Sequence, residues 1–181
     1  MRIIAGSAKG VRLAPVPAGT RPLSDRAREG LFSSLGPTVE AKRVLDLYAG
    51  TGAIGIEALS RGAASAVFVD SAPSAVNTVR DNLARARLAK LGTVRRQDVS
   101  RALRSILGQF DLILADPPYR LPGAEVDALL GEIAGQGVAA AGSTVVLTRP
   151  ARGYMPVIPL HWVLERRLPY GDAVVLVYQT P

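Results

Sequence analysis

From Arg43 onward the chain alternates short apolar runs with helix-length segments, and that alternation constrains its fold more than any other feature. Val44-Leu45-Asp46-Leu47-Tyr48 reads as a strand, Ala49-Gly50-Thr51-Gly52 as a turn, and residues 53–61 as a helix ended by Gly62. A second strand is expected over 66–70. Ser71 is expected to cap a helix reaching about 88, with Pro73 tolerated in its first turn. A strand over 93–97, a helix over 99–107, the strand Phe110-Asp111-Leu112-Ile113-Leu114-Ala115, a helix over 123–134 and a strand over 143–148 continue the pattern. Runs over 162–168 and 173–178 follow one another without a helix, joined by the hairpin signal Pro169-Tyr170-Gly171-Asp172. Crossover helices between apolar strands mean a parallel sheet covered on both faces. The expected fold is α/β: a doubly wound, mostly parallel sheet of seven strands with an antiparallel edge.

Residues 1–22 stand outside that pattern and read as an extension to a main domain over 23–181. Arg2-Ile3-Ile4 and Val11-Arg12-Leu13 are β-prone and flank Gly6-Ser7-Ala8-Lys9-Gly10, which predicts a small hairpin. Pro15, Pro17, Gly19 and Pro22 predict an irregular connector. Ser24-Asp25 can then cap a helix with Ala27, Leu31, Phe32 and Leu35 on one face, stopped by Gly36-Pro37.

Charge separates the chain into unequal parts. The net charge is +7 over 181 residues. Residues 1–43 hold eight basic and three acidic side chains, and residues 80–104 hold eight and two. Two basic blocks on a mildly acidic body suggest a polyanionic partner, and Lys9, Arg12, Arg21 and Arg26 are the expected phosphate contacts. A solvated basic surface is the plainer reading of the same charges. Cysteine is absent and His161 is the lone histidine. That argues against a disulfide framework, thiolate zinc and Ser-His-Asp catalysis, and no metal site is expected. His161-Trp162, near an edge strand, is read as packing. The apolar content of 48% and mean hydropathy of +0.20 argue against disorder. No apolar run reaches the length of about 18 residues needed to span a membrane, so a cytoplasmic protein is expected.

Chemistry concentrates at Asp116-Pro117-Pro118-Tyr119. The prolines cannot donate to a ladder, so the strand stops and Asp116 is left at its carboxyl end, the rim where open α/β sheets bind ligands. An exocyclic amine on a nucleobase is a poor nucleophile because its lone pair is delocalised into the ring. A carboxylate and a fixed main-chain carbonyl that accept its N–H bonds favour the nucleophilic form. An adjacent tyrosine can stack on the extruded base. A strand terminator with a packed ring would use the same four residues.

Gly50-Thr51-Gly52-Ala53-Ile54-Gly55 matches G-x-G-x-x-G between a strand and a helix, and Asp70 ends the next strand, where it can accept from a ribose diol. These features alone also suit a nicotinamide enzyme. Asp46, inside its strand four residues before Gly50, suits the cationic amino-acid portion of S-adenosylmethionine, and Asp98 can accept from an adenine amine. Helix capping is the alternative role for Asp70 and Asp98.

With these residues in place, the chain resembles class I S-adenosylmethionine-dependent methyltransferases. More narrowly, it resembles the bacterial family that methylates the exocyclic N2 of a guanine in small-subunit (16S) ribosomal RNA. The likeness runs through Arg2-Ile3-Ile4-Ala5-Gly6, Thr20-Arg21-Pro22, Asp25-Arg26-Ala27-Arg28-Glu29 and Leu31-Phe32. It continues through Leu45-Asp46-Leu47-Tyr48-Ala49-Gly50-Thr51-Gly52 and Ile56-Glu57-Ala58-Leu59-Ser60-Arg61-Gly62 to Asp116-Pro117-Pro118-Tyr119. The resemblance implies a Rossmann-like sheet and an RNA-binding N-terminal hairpin. It also implies cofactor contacts from Asp46, Tyr48, Ala49, Gly50, Thr51, Gly52, Asp70, Ser71, Asp98 and Val99, and chemistry at Asp116, Pro117, Pro118 and Tyr119. Leu23 and Thr148-Arg149 depart from the family pattern, the latter where acidic residues are expected. The implied partner is 16S rRNA within the small subunit or an assembly intermediate, met by a monomer. An adenine-N6 methyltransferase of DNA or RNA, and a non-catalytic rRNA-binding assembly factor, remain the alternatives.

Overall fold

The strands line up in the order β3-β2-β1-β4-β5-β7-β6 in a computed structural model that describes residues 1–15 and 22–181. They are β1 (Arg43–Leu47), β2 (Ser65–Asp70), β3 (Gly92–Arg96), β4 (Phe110–Ala115), β5 (Ala139–Pro150), β6 (Val163–Tyr170) and β7 (Ala173–Gln179). The first five run parallel, while β7 inserts antiparallel between β5 and β6. The expected α/β sheet with an antiparallel edge is what the chain forms.

Helices α1 (Asp25–Leu35), α2 (Ala53–Ser60) and α3 (Pro73–Arg85) cover one face of the sheet, and α4 (Val99–Ser105) and α5 (Gly123–Gly135) cover the other. Alternation within β1 serves both faces: Val44 joins the core under α1 to α3, and Leu45 and Leu47 join the core under α4 and α5. Each fully buried Leu, Ile or Phe contributes about 1.5–3 kcal/mol. Helix α1 starts as its sequence dictates. Ser24 Oγ accepts from the Ala27 N–H at 3.2 Å, and Gly36, at φ 62°, ends the helix by donating to the Phe32 carbonyl.

Helix α2 is buried along its whole length, which for a single-layer surface helix would be anomalous. The N-terminal segment explains it. Residues 1–13 lie across α2 and place Ile3, Ala8 and Leu13 in the same core as the helices. Gly6 approaches so closely that a Cβ there would sit 1.7 Å from the Ser60 carbonyl oxygen.

Several boundaries differ from those read from sequence, each for a local reason. The N-terminal runs pair through a single antiparallel bridge, Arg2 with Arg12, because the hydrogen bonding of Ile4 and Ala5 is directed at α2 instead of a partner strand. Ser71 does not cap α3: Ala72 holds the cap position with no side-chain bond, the Asp70 carboxylate takes the Ala72 N–H at 2.9 Å, and the helix begins at Pro73. Helix α3 ends at Arg85 rather than near 88, and Arg87 follows at φ 59°. Asp98 lies beyond β3, as the N-cap of α4. Helix α4 closes at Ser105, and β5 is longer than expected, pairing with both β4 and β7. Trp162 packs 6.3 Å from the Tyr178 ring, whereas His161 is exposed at φ 69°. The connector residues Pro17 and Gly19, the Thr20-Arg21 motif and the expected phosphate contact Arg21 lie outside the described residues.

Candidate active site

Strand order reverses between β1 and β4, so the crevice beyond their carboxyl ends is where an open α/β sheet admits a ligand. The loop after β1 and the turn after β4 meet there.

The β1 loop departs from ordinary backbone at three positions: Tyr48 at φ 58°, Gly50 at φ 58° and Gly52 at φ 74°. A positive φ at a tyrosine costs energy and persists only where its surroundings hold it. Burial also pushes the Tyr48 phenol up to about 12. Carboxylates from neighbouring strands fasten the loop. Asp70 accepts from the Gly50 N–H at 2.9 Å, and Asp46 accepts from the Gly55 N–H at 3.0 Å beneath the first turn of α2. Gly55 can carry no side chain, since a Cβ would meet Phe68 at 2.5 Å and Asp46 at 2.7 Å. Gly50 differs: a Cβ there would meet only the Tyr48 carbonyl oxygen, at 3.9 Å, so this backbone borders open space. Ala49 donates to the Val69 carbonyl, which seats the loop between β1 and β2. Thr51 is buried, Ser71 is exposed, and Val99 is buried in the first turn of α4.

The acids differ in environment. Asp46 is 2% exposed and its carboxyl lies well above the ordinary range, chiefly through burial, with the nearby charges of Asp116 and Asp70 adding to the rise. Asp98 is exposed and caps α4 through its Oδ1, which accepts from the Arg101 N–H at 3.3 Å. Capping therefore accounts for one oxygen of Asp98, and loop fastening for one oxygen of Asp46. An adenosyl ligand with a cationic amino-acid end fits a loop of this kind. Open space borders Gly50, acids stand within β1, at the end of β2 and just beyond β3, and the glycine backbone allows close approach.

After β4 the chain turns as its prolines require. Pro117 is buried, Pro118 is exposed, and Tyr119 is half-buried against the core of the α1–α3 face. The Pro118 carbonyl accepts from the Leu121 N–H at 2.8 Å, whereas among the described residues no N–H reaches the Pro117 carbonyl. Burial lifts the Asp116 carboxyl to about 6, opposed by a hydrogen bond from Thr148. Beside the turn lies a cleft of about 450 Å3 lined by Tyr119, Pro150, Ala151, Arg152, Gly171 and Asp172. Arg149, 4% exposed, donates to the Leu121 carbonyl at 3.0 Å and so ties β5 to the end of the turn.

Of the expected phosphate contacts, Lys9, Arg12 and Arg26 are exposed. Arg28, their neighbour in sequence, is fully buried and donates to the Arg2 carbonyl and to Asp25. Three residues that sequence reasoning gave no role hold the N-terminal segment. The Glu57 carboxylate accepts from the Ile4 and Ala5 N–H groups, and Ser60 Oγ donates to the Ala5 carbonyl and accepts from the Ala8 N–H. Asn82, fully buried, accepts from the Ala14 N–H at 2.7 Å and donates to the Thr51 carbonyl at 2.8 Å, joining that segment to the β1 loop. A polar residue inside the apolar face of Val79 and Leu83 was the available signal for Asn82. No local signal marks Thr148.

Residues 1–179 match a family model described as conserved hypothetical protein 95. The chain is 36% identical over 183 residues to YlbH of Bacillus subtilis (strain 168), a protein provisionally assigned as an rRNA methyltransferase; the match covers 99% of this chain and 98% of that one. It is 32% identical over 185 residues to ribosomal RNA small subunit methyltransferase D of Escherichia coli (strain K12), covering 99% and 89% respectively. The solved structure of Escherichia coli yhhF, provisionally assigned as a methyltransferase, has a TM-score of 0.87 to this chain at 31% identity, covering 99% and 97%.

Proposed function

The chain belongs to the family of class I methyltransferases that includes ribosomal RNA small subunit methyltransferase D; from that premise we propose that it methylates the exocyclic N2 of a guanine in 16S rRNA with S-adenosylmethionine. Asp116 at the end of β4 carries this reading: an acceptor carboxylate next to a proline carbonyl that no N–H of the described residues reaches, one strand from the glycine loop. Such a pair accepts the two N–H bonds of an exocyclic amine.

S-adenosylmethionine, when bound, supplies an electrophilic methyl group on a positively charged sulfur. Asp46, Tyr48, Ala49, Gly50, Thr51, Gly52, Asp70, Ser71, Asp98 and Val99 would hold it. Asp116 and the Pro117 carbonyl orient the N2 amine, so its lone pair points at the methyl carbon while Tyr119 stacks on the extruded base. With the cofactor in place, the methyl would pass to N2 as its bond to sulfur breaks, and the sulfur would leave as a neutral thioether. The amine becomes acidic as the methyl arrives, so an ionised Asp116 receives its proton without having to be a strong base. Positioning and electrostatics supply most of the rate. Lys9, Arg12, Arg21 and Arg26 contact phosphates, and the protein acts as a cytoplasmic monomer on the small subunit or its assembly intermediate.

The test is transfer of labelled methyl from S-adenosylmethionine onto small ribosomal subunits lacking the modification, followed by nucleoside mapping. N2-methylguanosine at one site is the expected result. Label in adenine would overturn the target atom. Cofactor binding without transfer to any form of the subunit would reduce the protein to an RNA-binding factor.

A further inference from the structure

We propose that Thr148 is a positioning residue for methyl transfer, holding Asp116 so that one defined carboxylate oxygen faces the substrate amine. The inference rests on the methyl-transfer reading above and deepens it. The two oxygens of a carboxylate are chemically equivalent, and rotation about the Cβ–Cγ bond exchanges them. Only the surroundings can make them act differently. The β4–β5 register, with Ala115 opposite Leu147, brings the next residues, Asp116 and Thr148, side by side. Thr148 is 2% exposed and its hydroxyl donates to Asp116 Oδ1. The hydroxyl has one proton, and its other acceptor is the neutral Ala115 carbonyl at 3.2 Å, so the carboxylate takes it. Thr148 is the side-chain donor to Asp116 among the described residues, and it occupies Oδ1. Oδ2 is left for the amine.

The same bond keeps the carboxylate in its accepting form. Burial favours the neutral acid, and a donor to the ionised oxygen works against it. The charged groups around Asp116 do not substitute for that donor. Asp46 on β1 and, beyond it, Asp70 on β2 are carboxyl groups and supply no positive charge. Arg149 on β5 lies beside Tyr119, its Nη2 donates to the Leu121 carbonyl, and the balance at Asp116 is set by burial and by Thr148.

The deciding experiment compares the wild type with Thr148→Val, Thr148→Ala and Thr148→Ser by two readouts. Carbon-13 NMR titration of labelled aspartates follows Asp116 directly, and the pH profile of methyl transfer to unmodified small subunits follows function. Removing the hydroxyl is expected to raise the Asp116 midpoint by about one pH unit and to cut turnover roughly fivefold at pH 6, with a smaller loss at pH 8. Cofactor affinity stays unchanged, and Thr148→Ser behaves as the wild type. An unshifted midpoint in Thr148→Val and Thr148→Ala, or a Thr148→Ser as impaired as Thr148→Val, overturns the proposal. Absence of transfer by the wild type would instead refute the methyl-transfer reading, and the NMR titration would still report on the hydrogen bond.

Discussion

Glu57 should be among the costliest residues to remove, although it touches neither the β1 loop nor the β4 turn. Its carboxylate is fully buried and accepts three bonds: from Ile4 N at 2.8 Å, Ala5 N at 3.1 Å and Arg61 Nε at 2.7 Å. Hydrogen bonds to a charged group each contribute about 1.5–3 kcal/mol. The losses do not add fully, because a released N-terminal segment regains water, and Arg61, 20% exposed with its guanidinium 4.9 Å from the Phe32 ring centroid, keeps part of its environment. Breaking one partner of a buried ion pair costs about 3–5 kcal/mol, and that is the expected loss for Glu57→Ala. For a chain of this size it corresponds to a fall in Tm of roughly 10 °C. Glu57→Gln should lose less, since the amide keeps one acceptor but turns its NH2 toward a donor. Urea unfolding measures the stability, and amide exchange at Ile4 and Ala5 reports whether the segment has come loose. A Glu57→Ala midpoint matching the wild type, with Ile4 and Ala5 still protected, would refute the reasoning.

Asp116→Ala should retain S-adenosylmethionine binding by calorimetry and lose nearly all turnover; retained turnover would sink the assigned role. Turnover of the wild type should fall as pH drops through about 6, the value to which burial lifts Asp116, because the protonated acid cannot accept from the amine. The stability consequence has the opposite sign. A carboxyl raised from 3.8 to about 6 keeps a proton in the folded state that the unfolded chain has released, so its contribution falls as pH rises through that window. Denaturation of wild type and Asp116→Asn across that range checks it, and parallel curves would refute it. Replacing Lys9, Arg12, Arg21 and Arg26 together with alanine should weaken RNA binding by about tenfold or more and flatten its salt dependence; unchanged affinity would refute the phosphate contacts. Gly55→Ala should cost about 1–3 kcal/mol by driving a methyl against Phe68 and Asp46, and an unchanged Tm would count against that packing.

Much of this molecule could be read from its local chemistry. Apolar runs at 44–48, 66–70 and 110–115 became parallel strands, and Ser24 and Gly36 bracket α1 as their residue types require. The two prolines after Asp116 ended β4 where they had to, and the last two β-runs formed the antiparallel edge. Each inference concerns a backbone choice made within a few residues, through side-chain period, a missing donor or a permitted φ. Even there, competition between near neighbours misled: Ser71 has the chemistry of a cap, but Asp70 took the free N–H and Pro73 started the helix.

The remaining decisions belong to pairs far apart in the chain. Ile4 finds Glu57 across 53 residues, Ala14 finds Asn82 across 68, and Asp116 finds Thr148 across 32. Glu57 and Ser60 sit in a stretch recognisable as a family motif, but only the docked N-terminal segment, which covers the outer side of α2, gives them their role. Thr148 reads as a mere departure until β5 lies against β4 and sets its hydroxyl on the Asp116 carboxylate. A hydrogen bond requires two atoms within about 3 Å, and sequence order carries no such distance. The sequence by itself therefore determined which groups could accept, donate, turn or be buried. The packed tertiary structure alone decided which acceptor met which donor, and with it how burial and a single hydroxyl set the charge of the carboxylate on which the proposed chemistry depends.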